Sequence, residues 1–445
     1  MTDRNPAISK GVDWSLVWIY LLLVAIGLTA IFAATYQEGD PVLQSFLRFK
    51  TDYSKQFYFF CASLIIALFL LLTDSKFFTA TANLFYAVGI FFLLLVFPFH
   101  SDIKGTESII KLGGFNFQPA EFCKIFVALA LAKYLSRPET DFSKSRSQLI
   151  ATGIVLLPAL LSIMQHETGL ALVYFSFFIV MYREGLPSGI LIIGLFLAAL
   201  IVGTLVLDKF TLAIVLTIIA LIVIYNMRRR IRRNRTILIN IILVWAVSAG
   251  VQLYAVPFVF KHVLKLYQVE RIYSTVGKEV PKEYMLAHQK EAVVSEKKKD
   301  TDYNVRQSKI AIGSGRFFGK GLLKANQTRY DFVPEQRTDF IFCTIGEGFG
   351  FIGSAILLGI YLLLLFRIVT IAERQRSVFS RCYAYGVAAV FFFHIAINIA
   401  MTVGLAPVIG IPLPFISYGG TSLLTFTVML FILIRLDADR QMVLR

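Results

Sequence analysis

The chain has 445 residues, of which 57% are hydrophobic and 16% are charged, and its formal net charge is +16. Apolar stretches of about 17 to 25 residues recur along it, which is the length that an α-helix needs to cross the hydrocarbon of a bilayer. This composition excludes a soluble globular protein and indicates an all-α polytopic membrane protein.

The apolar runs predict about twelve transmembrane helices. In chain order they lie near 14–34, 56–73, 78–98, 120–135, 149–163, 168–182, 188–206, 210–226, 236–257, 341–367, 382–404 and 419–436. Basic loops at 133–148, 228–235 and 367–381 alternate with poorly basic ones, so the positive-inside rule places both termini in the cytoplasm. We therefore predict one membrane domain over 1–445, with a large extracytoplasmic loop at 258–339.

Ionisable residues inside apolar runs mark candidate cavities, because a charge within a membrane is costly. Glu121 and Lys124 stand three residues apart on one helix face, where they either neutralise each other or line a cavity for a charged head group. His166 and Glu167 separate two short apolar runs, which favours a broken or re-entrant helix over a plain turn. Glu347 lies about two turns inside the run that begins at 341, among glycines that permit close helix packing.

The outer loop contains two candidate functional features, a glycine-rich basic stretch and a pair of aspartates. In QSKIAIGSGRFFGKGLLKA (307–325), four glycines alternate with four cations, a pattern in which backbone N–H groups and cations can cradle phosphate, although it matches no nucleotide-binding motif. Asp300 and Asp302 follow three lysines, and these cations favour the ionised form of the carboxyl groups. These two aspartates are the acidic residues most suited to reaction.

Near the C-terminus, PVIGIPLPFISYGGTSLL (407–424) places two prolines before a polar cluster that includes Ser417 and Tyr418. Proline removes a backbone hydrogen bond, and non-helical backbone at membrane depth is tolerated where it lines a cavity. The stretch therefore predicts either a cavity wall or a plain helix terminus.

Several of these segments, in this order, resemble the SEDS family of cell-wall polymerases, the RodA, FtsW and SpoVE group. The matching stretches are FQPAEFCKI, QHETGLA, YNVRQSKIAIGSGRFFGKGLL, FVPEQRTDFIFCTIGEGFGFIGS and NIAMTVGLAPVIGIPLPFISYGGTSLL. The last of them, through VIGIPLPFISYGG, is more similar to RodA than to FtsW. Members usually have ten helices, so the resemblance implies an extra helix pair here, within 188–235.

The resemblance implies a peptidoglycan glycosyltransferase that polymerises lipid II at the outer face of the bacterial cytoplasmic membrane, during cell elongation and rod-shape maintenance. The implied partners are lipid II, membrane lipid and a class B penicillin-binding protein, the transpeptidase that cross-links the strand; no nucleic acid is expected. No tightly bound cofactor is implied, although a divalent cation, Mg or Mn, at the pyrophosphate suits the chemistry. The alternatives are a lipid II flippase and a non-catalytic scaffold. The outer-loop aspartates distinguish the polymerase from these alternatives, because polymerisation needs a base.

The resemblance also carries site residues. The family's essential aspartate shortly precedes a tyrosine and a Gln-Ser pair, here Tyr303 and Gln307-Ser308, so Asp300 is the first choice for the base and Asp302 the rival. The residues placed around the substrate are Glu121, Lys124, Glu167, Arg306, Lys309, Arg316, Lys320, Asp339, Glu347, Ser417 and Tyr418. The chain departs from the family pattern at several of these motifs, so a lineage variant and an enzyme of impaired catalysis are both open.

Overall fold

The computed structural model of the protein describes residues 11–36, 42–47, 49, 51–103, 106–112, 115–262, 264, 266–275, 278, 280–287, 301–321, 323–330 and 332–440. Within these residues, ten helices are long and apolar enough to cross a membrane by length and composition. The protein is thus a polytopic helical membrane protein, as the sequence predicts.

The first half of the chain begins with four helices, α1 (Trp14–Thr35), α2 (Val42–Leu47), α3 (Asp52–Leu72) and α4 (Ser75–Phe99). Three short strands follow, β1 (Ser101–Ile103), β2 (Thr106–Leu112) and β3 (Phe115–Phe117). The next helices are α5 (Pro119–Leu135), α6 (Ser145–Met164), α7 (Thr168–Tyr174), α8 (Phe177–Arg183), α9 (Ser188–Val206) and α10 (Lys209–Arg233).

The second half begins with α11 (Thr236–Gly250), which runs through a π-helical turn at Val251–Ala255 into α12 (Val256–His262). It continues with α13 (Leu266–Thr275), α14 (Lys282–Ala287), α15 (Thr301–Ser314) and α16 (Asn326–Arg329). The last three helices are α17 (Ile341–Arg374), α18 (Val378–Thr402) and α19 (Gly420–Ala438).

Each predicted apolar run coincides with a helical segment. Ten of these segments are full-length spans. The other two are α5, which has 17 residues and begins at Pro119, and the pair α7 and α8, which divides the run at 168–182 into two helices of 7 residues each. Proline suits the first turn of α5, because the N–H that it lacks has no helical partner there.

A small sheet between α4 and α5 was not predicted from the sequence. Its order is β1-β2-β3, and both pairings are antiparallel. The sheet is connected to α19, because the Thr421 hydroxyl donates to the Asn116 carbonyl over 2.7 Å. The sheet therefore lies next to the first turn of α19, which follows the two prolines near the C-terminus.

The chain divides into two compact units, Met1–Pro187 with Asn304–Arg445, and Ser188–Tyr303. In the second unit, α9 and α10 lie within 188–235; that they are additional to the ten helices usual in the family stays a prediction. Helices α10 and α11 pack together, and the Trp245 indole donates to the Thr217 hydroxyl over 3.2 Å. This unit has its own core, in which Phe260 packs against Tyr273 and Tyr284.

In the first unit, an ionic cluster joins the ends of three helices. Asp13 caps α1 by accepting the Leu16 N–H and pairs with Arg367 and Arg374 of α17 at 2.7 and 2.8 Å. Burial raises the pKa of Asp13, but the hydrogen bonds from these arginines outweigh it and hold the pKa below its usual value. Arg374 also pairs with the buried Asp437 of α19. The cluster fixes α1, α17 and α19 relative to one another.

Candidate active site

The chain leaves the helical path between α18 and α19, and we call residues 403–419 the proline segment. Its backbone has positive φ at Gly404 (78°), Gly410 (77°) and Phe415 (66°). Carbonyl groups of the segment accept hydrogen bonds from side chains: the Asn398 amide donates to the Ile411 carbonyl over 2.7 Å, and the Tyr361 hydroxyl donates to the Pro414 carbonyl over 2.6 Å. The predicted helix interruption is confirmed, and the segment is fixed by the helices around it.

A buried chain of ionisable groups leads to the proline segment. The Lys124 ammonium donates to Glu121 Oε2 over 2.7 Å and lies 2.9 Å from His394 Nε2. His394 Nδ1 is 3.2 Å from the Pro412 carbonyl oxygen. A carbonyl only accepts, so Nδ1 carries the hydrogen and Nε2 accepts from Lys124. Glu121 and Lys124 therefore do pair, and their charge is connected to the proline segment through His394.

Sequence reasoning did not single out His394. It is fully buried in α18 and packs edge-on against Phe426 of α19, with ring centroids 4.8 Å apart. The signal was present, because a histidine inside an apolar run is itself a candidate functional residue.

The broken helix predicted around His166 and Glu167 is confirmed. Helix α6 ends at Met164, His166 has φ 60°, and α7 begins at Thr168. Glu167 is buried and accepts a hydrogen bond from the Ser108 hydroxyl of β2 over 2.8 Å. The break lies against the proline segment, since a Cβ atom added to Gly169 would lie 2.6 Å from the Ile409 carbonyl oxygen.

Asp339 approaches the proline segment from the start of α17. A Cβ atom added to Gly410 would lie 3.4 Å from Asp339 Oδ2, which places this carboxylate beside the segment. Asn398 donates to the Asp339 carbonyl over 2.8 Å as well as to Ile411. One amide group thus holds the backbone at Asp339 in place beside the proline segment.

Ser417 and Tyr418 occupy the end of the proline segment. The Ser417 hydroxyl donates to the Thr338 carbonyl over 2.6 Å and accepts the Leu413 N–H over 2.8 Å, so it holds the segment in shape. The Tyr418 backbone N–H donates to the Arg337 carbonyl, and the Arg337 guanidinium pairs with Asp52 at 2.9 Å. Burial and then the negative charge of Asp52 raise the pKa of Tyr418 to about 12. This phenol remains a hydrogen-bond donor at neutral pH.

Helix α15 brings cations to the other end of the proline segment. The Ser308 hydroxyl donates to the Thr402 carbonyl over 2.9 Å, which docks α15 on the end of α18. A Cβ atom added to Gly404 would collide with Lys309 Cε and Nζ, so the ammonium lies against the segment. The side chains of Arg306 and Lys309 are exposed.

Glu347 is the centre of a second cluster. It is fully buried and accepts hydrogen bonds from Lys320 Nζ over 3.0 Å and from the N–H groups of Gln327 and Thr328 over 3.1 and 3.0 Å. The carboxylate therefore holds the segment around 315–329 on the start of α17. A substrate contact by Glu347 stays a prediction.

The prediction that backbone N–H groups bind phosphate is wrong at residues 319–321. The Lys320 and Gly321 N–H groups donate to the Glu347 and Gly348 carbonyls over 3.0 and 2.9 Å. A Cβ atom on Gly319 would collide with Gly348. The glycines permit the two backbone segments to pack closely. The Lys320 and Gly321 N–H groups are used in this packing and do not point toward a site for an anion. Arg316 is exposed next to them.

We expect Glu347→Ala to destabilise the protein by about 2 to 4 kcal/mol, because two buried N–H groups and Lys320 lose their acceptor. The measurement is thermal unfolding of the purified protein, together with the rate of proteolysis within 315–329. Glu373→Ala is the matched control on the same helix, since its pair with Arg183 is exposed on both sides and contributes less than about 1 kcal/mol. Equal effects of both substitutions would show that Glu347 does not hold this segment.

The predicted site residues therefore fall into three groups. Those around the proline segment are Glu121, Lys124, Glu167, Lys309, Asp339, Ser417 and Tyr418. Lys320 and Glu347 form the second cluster, and Arg306 and Arg316 are exposed near α15. Asp300 lies outside the described residues, and of Asp302 only the backbone is described, in the first turn of α15.

A metal site can be tested only within the described part of the chain. There, no group of three or more His, Cys, Asp or Glu side chains is arranged to hold a metal ion. Inside the described ranges, the side chains thus do not fit a resident metal, and the positive charges around the proline segment come from Lys and Arg.

A family model described as cell cycle protein, for FtsW, RodA and SpoVE, matches residues 13–233 and 187–442. The chain belongs to this family. The two matched stretches overlap at residues 187–233, which contain α9 and α10. Within the FtsW/RodA/SpoVE family, the peptidoglycan glycosyltransferase RodA of Treponema pallidum (strain Nichols) is 29% identical over 441 residues, covering 96% of this chain and 97% of that protein.

Solved structures agree on the fold. A chain from a structure described as a peptidoglycan synthase complex that coordinates polymerization and crosslinking matches with a TM-score of 0.65 at 23% identity. It covers 96% of this chain and 98% of that chain. The rod shape determining protein RodA of Thermus thermophilus matches with a TM-score of 0.60 at 22% identity, covering 96% and 97%. The FtsW/RodA/SpoVE fold therefore extends over almost the whole chain.

Proposed function

We propose that this protein is a peptidoglycan glycosyltransferase that polymerises lipid II during elongation of the cell wall. It belongs to the FtsW/RodA/SpoVE family, and a relative named peptidoglycan glycosyltransferase RodA aligns with 96% of the chain. The observation that carries the proposal is the proline segment, where a broken helix, a carboxylate, a cation and a buried ion pair converge from four parts of the chain. Such a polar wall at membrane depth suits a lipid-linked sugar.

The reaction joins two lipid-linked substrates. The 4-hydroxyl oxygen of the incoming lipid II attacks the anomeric carbon at the end of the growing glycan, and the bond from that carbon to undecaprenyl pyrophosphate breaks. The hydroxyl proton passes to a base, and the bonding electron pair leaves with the pyrophosphate. The base is Asp300 or Asp302: Asp300 directly precedes α15 in the sequence, and Asp302 is the second residue of this helix.

The departing pyrophosphate needs compensation for its developing charge. Lys309 lies against Gly404 at the edge of the proline segment, and Arg306 lies one turn before it on α15. Both side chains are exposed, so they are available to an anion. We assign them to the pyrophosphate. We assign Asp339, whose carboxylate lies beside Gly410, and Tyr418, at the end of the segment, to the sugar hydroxyls.

The divalent cation at the pyrophosphate remains a proposal separate from the protein residues. When bound, Mg or Mn would stabilise the negative charge of the leaving group. Mg would suit this position, because in proteins it usually keeps several waters and binds through substrate phosphates and one or two carboxylates. The side-chain steps above do not depend on it.

The membrane arrangement follows from the charge distribution. With the basic loops at 133–148, 228–235 and 367–381 in the cytoplasm, α15 and the proline segment face the outside, where lipid II is joined. A class B penicillin-binding protein is the proposed partner. Support comes from the similar solved structure, which is described as a synthase complex that coordinates polymerization and crosslinking.

The test is polymerisation of labelled lipid II by the purified full-length protein, alone and with a class B penicillin-binding protein whose transpeptidase serine is blocked. We expect glycan strands that lengthen with time, and faster synthesis with the partner. Parallel arms with a chelator, with Mg and with Mn show whether the divalent cation contributes. The polymerase proposal would be overturned if the folded protein made no strands in any arm. Movement of lipid II across vesicle membranes by the same protein would then support the flippase alternative.

A further inference from the structure

The second compact unit contains a cavity of its own. It has a volume of about 360 Å³ and is lined by apolar side chains of α9, α10 and α11, among them Phe196, Leu216, Val223 and Val244. This volume is within the range of ligand sites in proteins, about 300 to 1,000 Å³. The cavity is therefore large enough to hold part of a hydrophobic molecule.

The cavity is elongated along the helix axis. On α10 its lining residues extend from Leu216 to Met227, and on α11 from Ile237 to Ser248. Eleven residue steps of an α-helix correspond to about 16 Å. Half of a hydrocarbon core of about 30 Å is about 15 Å, so the lining matches the depth of one leaflet.

One end of the cavity meets a dense group of positive charges. Six arginines lie between the lining residues Met227 and Ile237, at positions 228, 229, 230, 232, 233 and 235. All six are exposed, and Arg228 stacks on Tyr225 with its guanidinium 4.6 Å from the ring centroid. Helices α10 and α11 are joined by only Asn234 and Arg235, so the turn collects these charges at the mouth of the groove.

We propose that this groove is a binding site for an anionic phospholipid, with an acyl chain between α10 and α11 and the phosphate on the arginines at 228–235. Charge selects this occupant, because six exposed arginines at one end of an apolar groove complement a negative head group on a hydrocarbon chain. The Asn240 amide and the Trp245 indole, which lie along the lining, give the walls of the groove a few polar groups. The site belongs to the second compact unit and is independent of the proposed polymerase chemistry.

The experiment is native mass spectrometry of the full-length protein, delipidated and then titrated with phosphatidylglycerol or phosphatidylcholine. We expect at least tenfold tighter binding of phosphatidylglycerol to the wild type. The triple variant Arg228→Gln/Arg229→Gln/Arg232→Gln should lose at least tenfold of that affinity. Arg137→Gln/Lys144→Gln/Arg146→Gln, between the end of α5 and the first turn of α6, is the matched control and should bind as the wild type does.

A second pair of variants tests the groove itself. Ala220→Trp fills the cavity, whereas Ile218→Trp places the same side chain on the same helix away from the lining. We expect the first to abolish the preference for long-chain over dihexanoyl phosphatidylglycerol and the second to retain it. Each of three results would overturn the proposal. These are equal binding of phosphatidylglycerol and phosphatidylcholine by the wild type, wild-type binding by the arginine triple variant, and equal behaviour of the two tryptophan variants. A photo-crosslinker at Val223 that captures a polypeptide and no phospholipid would assign the groove to a partner helix instead.

Discussion

Asp300→Asn lowers lipid II polymerisation by about 10²- to 10⁴-fold, the range typical of a lost general base, while the protein stays folded. Asparagine keeps the size of the side chain but cannot accept the proton of the 4-hydroxyl. The measurement is initial polymerisation rate with the transpeptidase partner present. Loss of rate at saturating lipid II separates a missing base from weaker substrate binding.

Asp302→Asn is the matched control and the rival assignment. Asp302 lies in the first turn of α15, where a carboxylate favours the helix through the backbone dipole. We therefore expect a small loss of stability from Asp302→Asn and less than a tenfold loss of rate. The reverse ranking would make Asp302 the base. Full activity of both variants and of the double variant would remove the outer-loop aspartates from the mechanism.

The sequence predicts the features that depend on neighbours in the chain. Periods of apolar residues located the spans, and prolines and polar interruptions located the breaks at 165–167 and 403–419. The pairing of Glu121 with Lys124 was predictable because three residues along a helix bring two side chains to one face.

The features that the sequence did not predict depend on contacts between distant residues. His394 meets Lys124 across 270 positions, and Glu347 accepts from residues 19 to 27 positions before it. The apolar periodicity of a span gives its length but no partner for a polar side chain within it. The glycines around 315–321 were ambiguous for the same reason, since close packing and anion binding require the same residue.

Lys124→Met is the substitution in the candidate site with the largest expected effect on stability. Lys124 is fully buried, and its removal leaves the Glu121 carboxylate and His394 without their cation. Breaking a buried ion pair in this way typically costs about 3 to 5 kcal/mol. The measurement is thermal unfolding of the purified protein and its folded yield in membranes. Lys133→Met on the same helix is the control, because the Lys133 ammonium donates to the Ala80 carbonyl over 2.9 Å in an exposed hydrogen bond, and the substitution should cost less than about 1 kcal/mol.

The double variant Glu121→Gln/Lys124→Met separates stability from function. It contains no unpaired buried charge, so it should recover most of the stability that Lys124→Met loses. If the pair only holds α5 to the proline segment, this variant should polymerise lipid II once it is folded. If the charges instead bind the lipid head group, polymerisation should stay low although folding is restored. A Lys124→Met protein as stable as the wild type would contradict the ionic chain from Glu121 through His394 to Pro412.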